Sequence, residues 1–406
     1  MGVRPSRALA VAAAMSAAAV FAAADRETAV REPNWDRSKI GAYELEDPLT
    51  FLDGRKVASA ADWAARRREI LGVFAREMYG AEPPAPETVK VEITTNCVTC
   101  AGFAVRRRYR MSFRADGSGP SFDWDVWLPR HAKGRVPVIL WLNYDGSQDL
   151  IDTRQNPDGN TIFPVGMLMA KGYAVMTARY TDVSPDESGA PYSGVFALWG
   201  ERDERRTDNT TSLGAWAWAL SRGLDLAERI PELDAARNVV TGYSRLAKAA
   251  LIAAARDERF RVCVPVQTGG GGCPLAKRDF GENVSTENRM FPHWFCPAYA
   301  KYAADPAKLL TFDQHLFLAC VAPRALLVAG FDEPWFDTEG EYLAVKAASP
   351  VWELLGRAGL PKGAFPPDFD TSAVGPDLGY VRRSEGHGIS AYDWMWMLGF
   401  AERHLR

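Results

Sequence analysis

Ser244 lies in residues 238–250, NVVTGYSRLAKAA. The β-branched run Val239-Val240-Thr241 breaks at Gly242, and helix formers rich in Ala, Leu and Lys follow the serine. Strand, sharp turn and helix put the serine at an apex. There its hydroxyl clears the backbone, and a helix N-terminus favours developing negative charge. This is a setting for attack on an acyl carbon. The spacing departs from G-x-S-x-G: Leu246 stands in the place of the second glycine, and Ala247 follows it. A serine needs a base. The chain order serine, acid, histidine of hydrolases built on such a turn selects His387, in Ser384-Glu385-Gly386-His387-Gly388. Its flanking glycines free the loop to carry the imidazole to the serine. His404 is expected to be solvated, His131 lies in a polar turn, and His293 and His315 are expected as structural hydrogen-bonders. The acid belongs in a loop at the carboxyl end of a strand. Gly330-Phe331-Asp332-Glu333-Pro334-Trp335 offers two, Asp332 and Glu333, which as neighbours cannot both point inward equally.

The elements that must position these residues follow from hydrophobic periodicity. Residues 63–79 have apolar positions at helical spacing. From residue 89 the texture is strand-like and alternating (VKVEITT, FAVRRRYRMSF, SFDWDVWLP), the pattern of an antiparallel, half-exposed start to a sheet. The continuous apolar run 136–142 predicts a buried parallel strand, followed by Asn143-Tyr144-Asp145-Gly146. Further strands are expected at 173–178, 262–267, 325–329 and 380–382. Helices are expected at 213–230, 312–320, 341–358 and 391–404. Residues 184–208 are polar and irregular, a loop over the site. Strands alternating with helices predict a mostly parallel sheet covered on both faces, in one domain.

Composition bounds the function. At 406 residues, 47% hydrophobic and 24% charged, the chain is that of an ordinary globular protein with a large core. Arg4 and Arg7 precede an Ala-rich run ending Ala22-Ala23-Ala24, which predicts a signal peptide over residues 1–24. Its removal takes the formal charge from −3 to −5. Residues 25–46 are expected as a linker or arm, and 47–406 as the catalytic domain. A periplasmic or secreted monomer is expected, with no membrane segment after cleavage. No basic patch suggests nucleic acid. Export permits disulfides, and Cys97 with Cys100 could pair or stay reduced. No second ligand pair suits zinc, so no metal or other cofactor is expected.

The segment 243–248, YSRLAK, resembles the G-C-S-R-x-G-K signature of glucuronoyl esterases, carbohydrate esterase family 15. Phe280-Gly281-Glu282, residues 291–295 (FPHWF), Asp313-Gln314-His315, Ala322-Pro323-Arg324, Glu385-Gly386-His387, Tyr392-Asp393-Trp394, residues 48–54 (PLTFLDG) and Tyr79-Gly80 are similar to bacterial members. Together they span about residues 45–400. The resemblance implies an α/β-hydrolase fold, a three-layer sandwich with a mostly parallel central sheet. It implies Ser244 as nucleophile, His387 as base, Arg245 as an oxyanion-stabilising side chain, Lys248 holding a sugar hydroxyl, and Glu282 and Trp335 lining the sugar site. Three positions depart from the family: Tyr243 replaces the cysteine, Ala247 the glycine, and Thr268 the glutamate of a Q-E-S-G-x-G-G segment. Other members carry the acid two residues before the tryptophan, which here is Glu333; Asp332 is second.

The implied activity is hydrolysis of (4-O-methyl-)glucuronic acid esters in lignin-carbohydrate complexes through an acyl-enzyme. The alternatives are an acetyl-xylan or other carbohydrate esterase on the same fold, or a catalytically lapsed carbohydrate-binding relative. Arg245 and Lys248 argue against the first, because an acetyl group offers no charge or ring to hold. Ser244 and His387 argue against the second.

Overall fold

A computed structural model describes residues 31–144, 163–189, 192–384 and 386–406. The expected signal peptide lies outside these residues. Among the described residues, nine strands form one sheet in the order β1-β2-β3-β5-β4-β6-β7-β8-β9. They are β1 Lys90–Thr99, β2 Ala104–Ser112, β3 Ser121–Pro129, β4 Val136–Asn143, β5 Ala174–Arg179, β6 Leu233–Tyr243, β7 Val262–Val266, β8 Ala325–Phe331 and β9 Leu378–Arg383. The first three strands pair antiparallel and join β5 in the same sense. From β5 through β4, β6, β7 and β8 to β9 every pairing is parallel. This is the mixed, mostly parallel α/β sheet that the strand–helix alternation predicts.

The apolar run in β4 shows why a continuous hydrophobic strand suits the centre of such a sheet. Successive side chains point to opposite faces. Val138, Leu140 and Leu142 therefore enter one core, while Ile139 and Trp141 enter the other. The larger core is closed by α1 (Ala60–Phe74), α3 (Ser212–Ala227) and α4 (Arg245–Arg256). The smaller is closed by α2 (Val165–Ala170) and α9 (Ala391–Ala401), with Leu168, Trp394 and Leu398 against the sheet. In α1 the buried Trp63, Arg66, Ile70 and Phe74 recur at helical spacing. Thr211 caps α3 by accepting the Gly214 N–H at 3.1 Å. Between these lie α5 (Val284–Met290), α6 (Gln314–Ala319), α7 (Thr338–Ala348) and α8 (Pro350–Leu354).

Several expected bounds shift. The helix expected over 341–358 is two helices. It begins three residues earlier, because Asp337 caps it by accepting the Gly340 N–H. It breaks at Ser349-Pro350, because proline lacks the N–H to continue the ladder and instead starts α8. The last helix stops at Ala401, short of His404. His404 is half-buried rather than solvated, with Nε2 2.8 Å from the Pro376 carbonyl. Among the described residues, no helix is long and apolar enough to cross a membrane.

Candidate active site

Ser244 occupies the turn between β6 and α4 at φ 57°, ψ −134°. A non-glycine residue at positive φ is costly, and such strain concentrates where a side chain must be aimed. The turn is tight enough that a Cβ on Gly242 would lie 2.5 Å from the Leu246 carbonyl oxygen. Ala247 is tolerated there, fully buried. The Ser244 N–H donates to the Val266 carbonyl at 3.0 Å, which fixes the elbow to the end of β7. Tyr144, just past β4, donates its hydroxyl to the Tyr243 carbonyl at 3.1 Å.

His387 lies in the loop between β9 and α9. Its ring packs against Tyr243 (centroids 5.7 Å apart), Phe336 (4.9 Å) and Phe331 (6.3 Å). The ring contacts the residue before the serine and the two aromatics that bracket the Asp332–Trp335 turn. His387 is exposed to solvent, yet desolvation by the rings packed on it, then the charges of Arg245, Arg383 and Lys248, push its pKa below that of free imidazole. That favours the neutral ring a general base requires.

The two candidate acids differ in their surroundings. The Asp332 carboxylate pairs with Arg382 at 2.8 Å and lies 3.5 Å from the Thr338 hydroxyl. Glu333 is half-buried and has no side-chain partner among the described residues; burial raises its pKa. Thr268 is fully buried. Its hydroxyl accepts the Cys273 N–H at 2.8 Å and donates to Glu341 at 3.2 Å. Burial keeps the Glu341 pKa well above the usual carboxylate range, which favours the neutral acid.

Both cations after the serine are anchored. Arg245 pairs with Asp186 and lies over the rings of Trp294 (4.8 Å) and Phe291 (5.8 Å). Asp186 also accepts from Tyr180 at 2.9 Å and Trp294 at 2.7 Å, and it lies 2.8 Å from His293 Nε2. Lys248, 2% exposed, pairs with the buried Glu282 at 3.3 Å and sits 4.8 Å from the Trp294 ring centroid. Burial raises the Glu282 pKa against the pull of Lys248. Beneath it, burial and then the charge of Glu282 push Glu287 up to about 8, so this acid is mostly protonated at neutral pH.

Trp335 joins the same wall. Its carbonyl accepts the Glu282 N–H at 2.9 Å, and its ring stacks on Trp35 of the N-terminal arm with centroids 5.9 Å apart. The structure thus gathers Ser244, Arg245, Lys248, Glu282, Trp335 and His387 around the carboxyl ends of the parallel strands. It turns Asp332 toward Arg382. His293 and His315 hold structural hydrogen bonds as expected, to Asp186 and the Glu46 carbonyl. Sequence reasoning missed Asp186, Tyr144 and Trp35. Asp186 carried no signal beyond the polarity of its loop. Among the described residues no cluster of three His, Cys, Asp or Glu side chains suits a metal ion.

The crossed parallel sheet and the strained serine at its strand–helix elbow define an α/β-hydrolase. A family model described as "Glucuronyl esterase, fungi" matches residues 112–356. A carbohydrate esterase from an unknown prokaryotic organism is 31% identical over 401 residues, covering 92% of each chain. The 4-O-methyl-glucuronoyl methylesterase of Podospora anserina is 27% identical over 328 residues, 78% of this chain and 61% of that one. The structure of a glucuronoyl esterase from Solibacter usitatus superposes with a TM-score of 0.84 at 32% identity, covering 91% of this chain and 100% of that one. A promiscuous CE15 esterase from the marine bacterial metagenome gives 0.82 at 32% identity, covering 92% and 100%. The chain belongs to the glucuronoyl esterase family, carbohydrate esterase family 15, and is a carboxylic ester hydrolase.

Proposed function

We propose that this chain hydrolyses esters of glucuronic acid, including those joining glucuronoxylan side chains to lignin alcohols, by a serine acyl-enzyme route. The observation that carries the reading is the strained Ser244 elbow followed at once by two cations that are each held by a buried carboxylate. Ser244 Oγ attacks the ester carbonyl carbon while His387 accepts the hydroxyl proton. Arg245 stabilises the oxyanion. His387 then protonates the departing alkoxide, leaving the glucuronoyl group on Ser244. Water attacks that acyl group with His387 again as base, releasing the uronic acid and the free serine. Glu333 is assigned to orient the imidazole. Lys248, Glu282 and Trp335 are assigned to the sugar ring. The reading includes export, action as a monomer off the membrane, and no cofactor.

One assay tests it. Purified protein is given benzyl glucuronate and, separately, an acetylated xylan. Uronate release that Ser244→Ala abolishes is expected. Acetate release alone would move the enzyme to another carbohydrate esterase activity, and silence on both would remove the catalytic reading.

A further inference from the structure

We infer that Arg383, Asp393 and Gln267 act as positioning residues that hold the His387 loop over the elbow serine. The inference rests on the assignment of His387 as the base.

Residues 386–388 of the loop are not fixed in place by their own residue types. Gly386 and Gly388, on either side of the histidine, take φ of 44° and 146°, conformations that glycine reaches easily and also leaves easily. Its order is supplied from outside. The Arg383 guanidinium, at the end of β9, donates to the Gly386 carbonyl at 2.9 Å and to the Gly388 carbonyl at 2.6 Å. Its Nε lies 2.9 Å from both oxygens of Asp393, which turn the fork toward the loop. Asp393 also caps α9 by accepting from the Ser390 N–H at 2.7 Å. From the other side, Gln267 Oε1 accepts the Gly388 N–H at 2.8 Å. Gln267 is fully buried at φ 53° just past β7, with its own N–H bonded to the Ala329 carbonyl at 2.7 Å. The peptide groups flanking the imidazole are thereby tied to three parallel strands, of which β7 also accepts the Ser244 N–H.

A buried ion pair is a poor means of stabilising a strand–helix packing, because desolvation offsets most of its attraction. What Arg383 offers beyond an apolar pair is two aimed donors for the carbonyls around the base. The alternative, a plain staple between β9 and α9, predicts melting changes without a change in turnover per folded molecule.

The charged groups facing the imidazole separate the two. They are Arg245 and Lys248 from α4 and Arg383 from β9; of the carboxylates on the turn after β8, Asp332 pairs with Arg382 and Glu333 has no side-chain partner among the described residues, and Glu385 lies outside those residues. Three variants of the full chain are compared on benzyl glucuronate, with folding checked by thermal melting. Gln267→Leu removes only the Gly388 acceptor. Its kcat is expected to fall on the order of 10²-fold with an unmoved acid limb, since displacing a reacting group by about 1 Å costs that much. Arg383→Lys keeps the charge and loses the fork, so kcat falls and the limb again stays. Arg383→Met also removes a cation, so the imidazole pKa rises and the acid limb of kcat/KM moves to higher pH. Wild-type kcat in folded Gln267→Leu and Arg383→Lys, with only the melting temperature lowered, would overturn the inference. Labelling of Ser244 by an organophosphonate ester reports the serine–histidine pair without any uronate. A protein that labels but spares glucuronate esters counts against the substrate reading alone, and the three variants are then ranked by labelling rate. A wild-type protein that does not label removes the base and its positioning residues together.

Discussion

Replacing Asp186 by Asn tests whether Arg245 is a placed oxyanion donor or a surface charge near a serine. The carboxylate is 5% exposed and is shared by Arg245, Tyr180, Trp294 and His293. Asn keeps the shape, but it removes the charge and turns an NH2 toward groups that themselves donate. Breaking a buried pair from one side costs about 3–5 kcal/mol. Arg245 is 29% exposed, so water recovers part of this and about 2–3 kcal/mol of stability is expected to go. Losing one oxyanion donor costs about 10²–10³ in kcat, and an unanchored Arg245 should fall near the lower end. The assay is kcat and KM on benzyl glucuronate with a parallel melting series against pH. Burial alone would raise the Asp186 pKa, but His293, the charge of Arg245 and the Trp294 N–H outweigh it and hold it below the usual carboxylate range. A depressed carboxylate stabilises the fold above its unfolded pKa of about 3.9, and the contribution is lost as pH falls through the lower folded value. The melting gap between wild type and Asp186→Asn should therefore be full at pH 6–7 and close in strong acid. Equal kcat and equal melting at neutral pH would refute the argument that Asp186 sets Arg245.

Three further outcomes follow from the same geometry. Glu333→Gln should lower kcat by about 10²–10³, less than the ~10⁴ of a fully buried triad acid because Glu333 is only half-buried; Asp332→Asn should stay near wild type, since its carboxylate already serves Arg382, and steady-state kinetics on the two variants decides the acid. The acid limb of kcat/KM should lie below the ~6.5 of free imidazole, because the rings packed on His387 and the nearby cations disfavour the charged form; a limb above that value would contradict this reading of its surroundings. Lys248→Met should destabilise the fold by about 3–5 kcal/mol by stranding Glu282, and adding Glu282→Gln should recover most of the loss while KM for the uronate ester stays raised, as read by melting and kinetics.

The parts that the chain alone reveals are those with a one-dimensional signature. The run 136–142 is apolar because both faces of β4 are covered, and the strand–Gly–x–Ser–helix order at the elbow needs no partner to be recognised. His387 is singled out as a candidate because its loop follows the last strand and carries two glycines. The missing parts depend on distance in space. Asp186 is one of several acids in a polar loop, 59 residues from Arg245 and 107 from His293. Nothing local distinguishes it from Glu187 beside it. Gln267 reads as the end of an apolar strand, and its task becomes visible only when residue 388 is seen to donate to it. The misplaced helix bounds have a similar origin. Asp337 caps α7 from a left-handed conformation at φ 42°, unusual for a residue other than glycine, so the stretch before the helix does not read as its start.

The two cations on the first turn of α4 run against the helix they stand on. A helix N-terminus carries partial positive charge, so Arg245 and Lys248 are there at an electrostatic cost. Each has a carboxylate partner that reduces this cost, Asp186 for one and Glu282 for the other, and both partners come from loops rather than from α4 itself. A site built only to hold a serine would have no use for this arrangement, because backbone amides and the helix end already favour an oxyanion. It becomes useful when the acyl group is a polar sugar acid. In the proposed reaction the transition state places negative charge beside Arg245, and the product leaves as a carboxylate. With its counter-carboxylates in place the pair of cations is close to neutral before substrate arrives, so it can respond to charge developing at the ester without trapping the uronate that is released. On the same proposal, an acetyl ester would meet the same cost of burial and offer no ring hydroxyls to Lys248 and Glu282 in return.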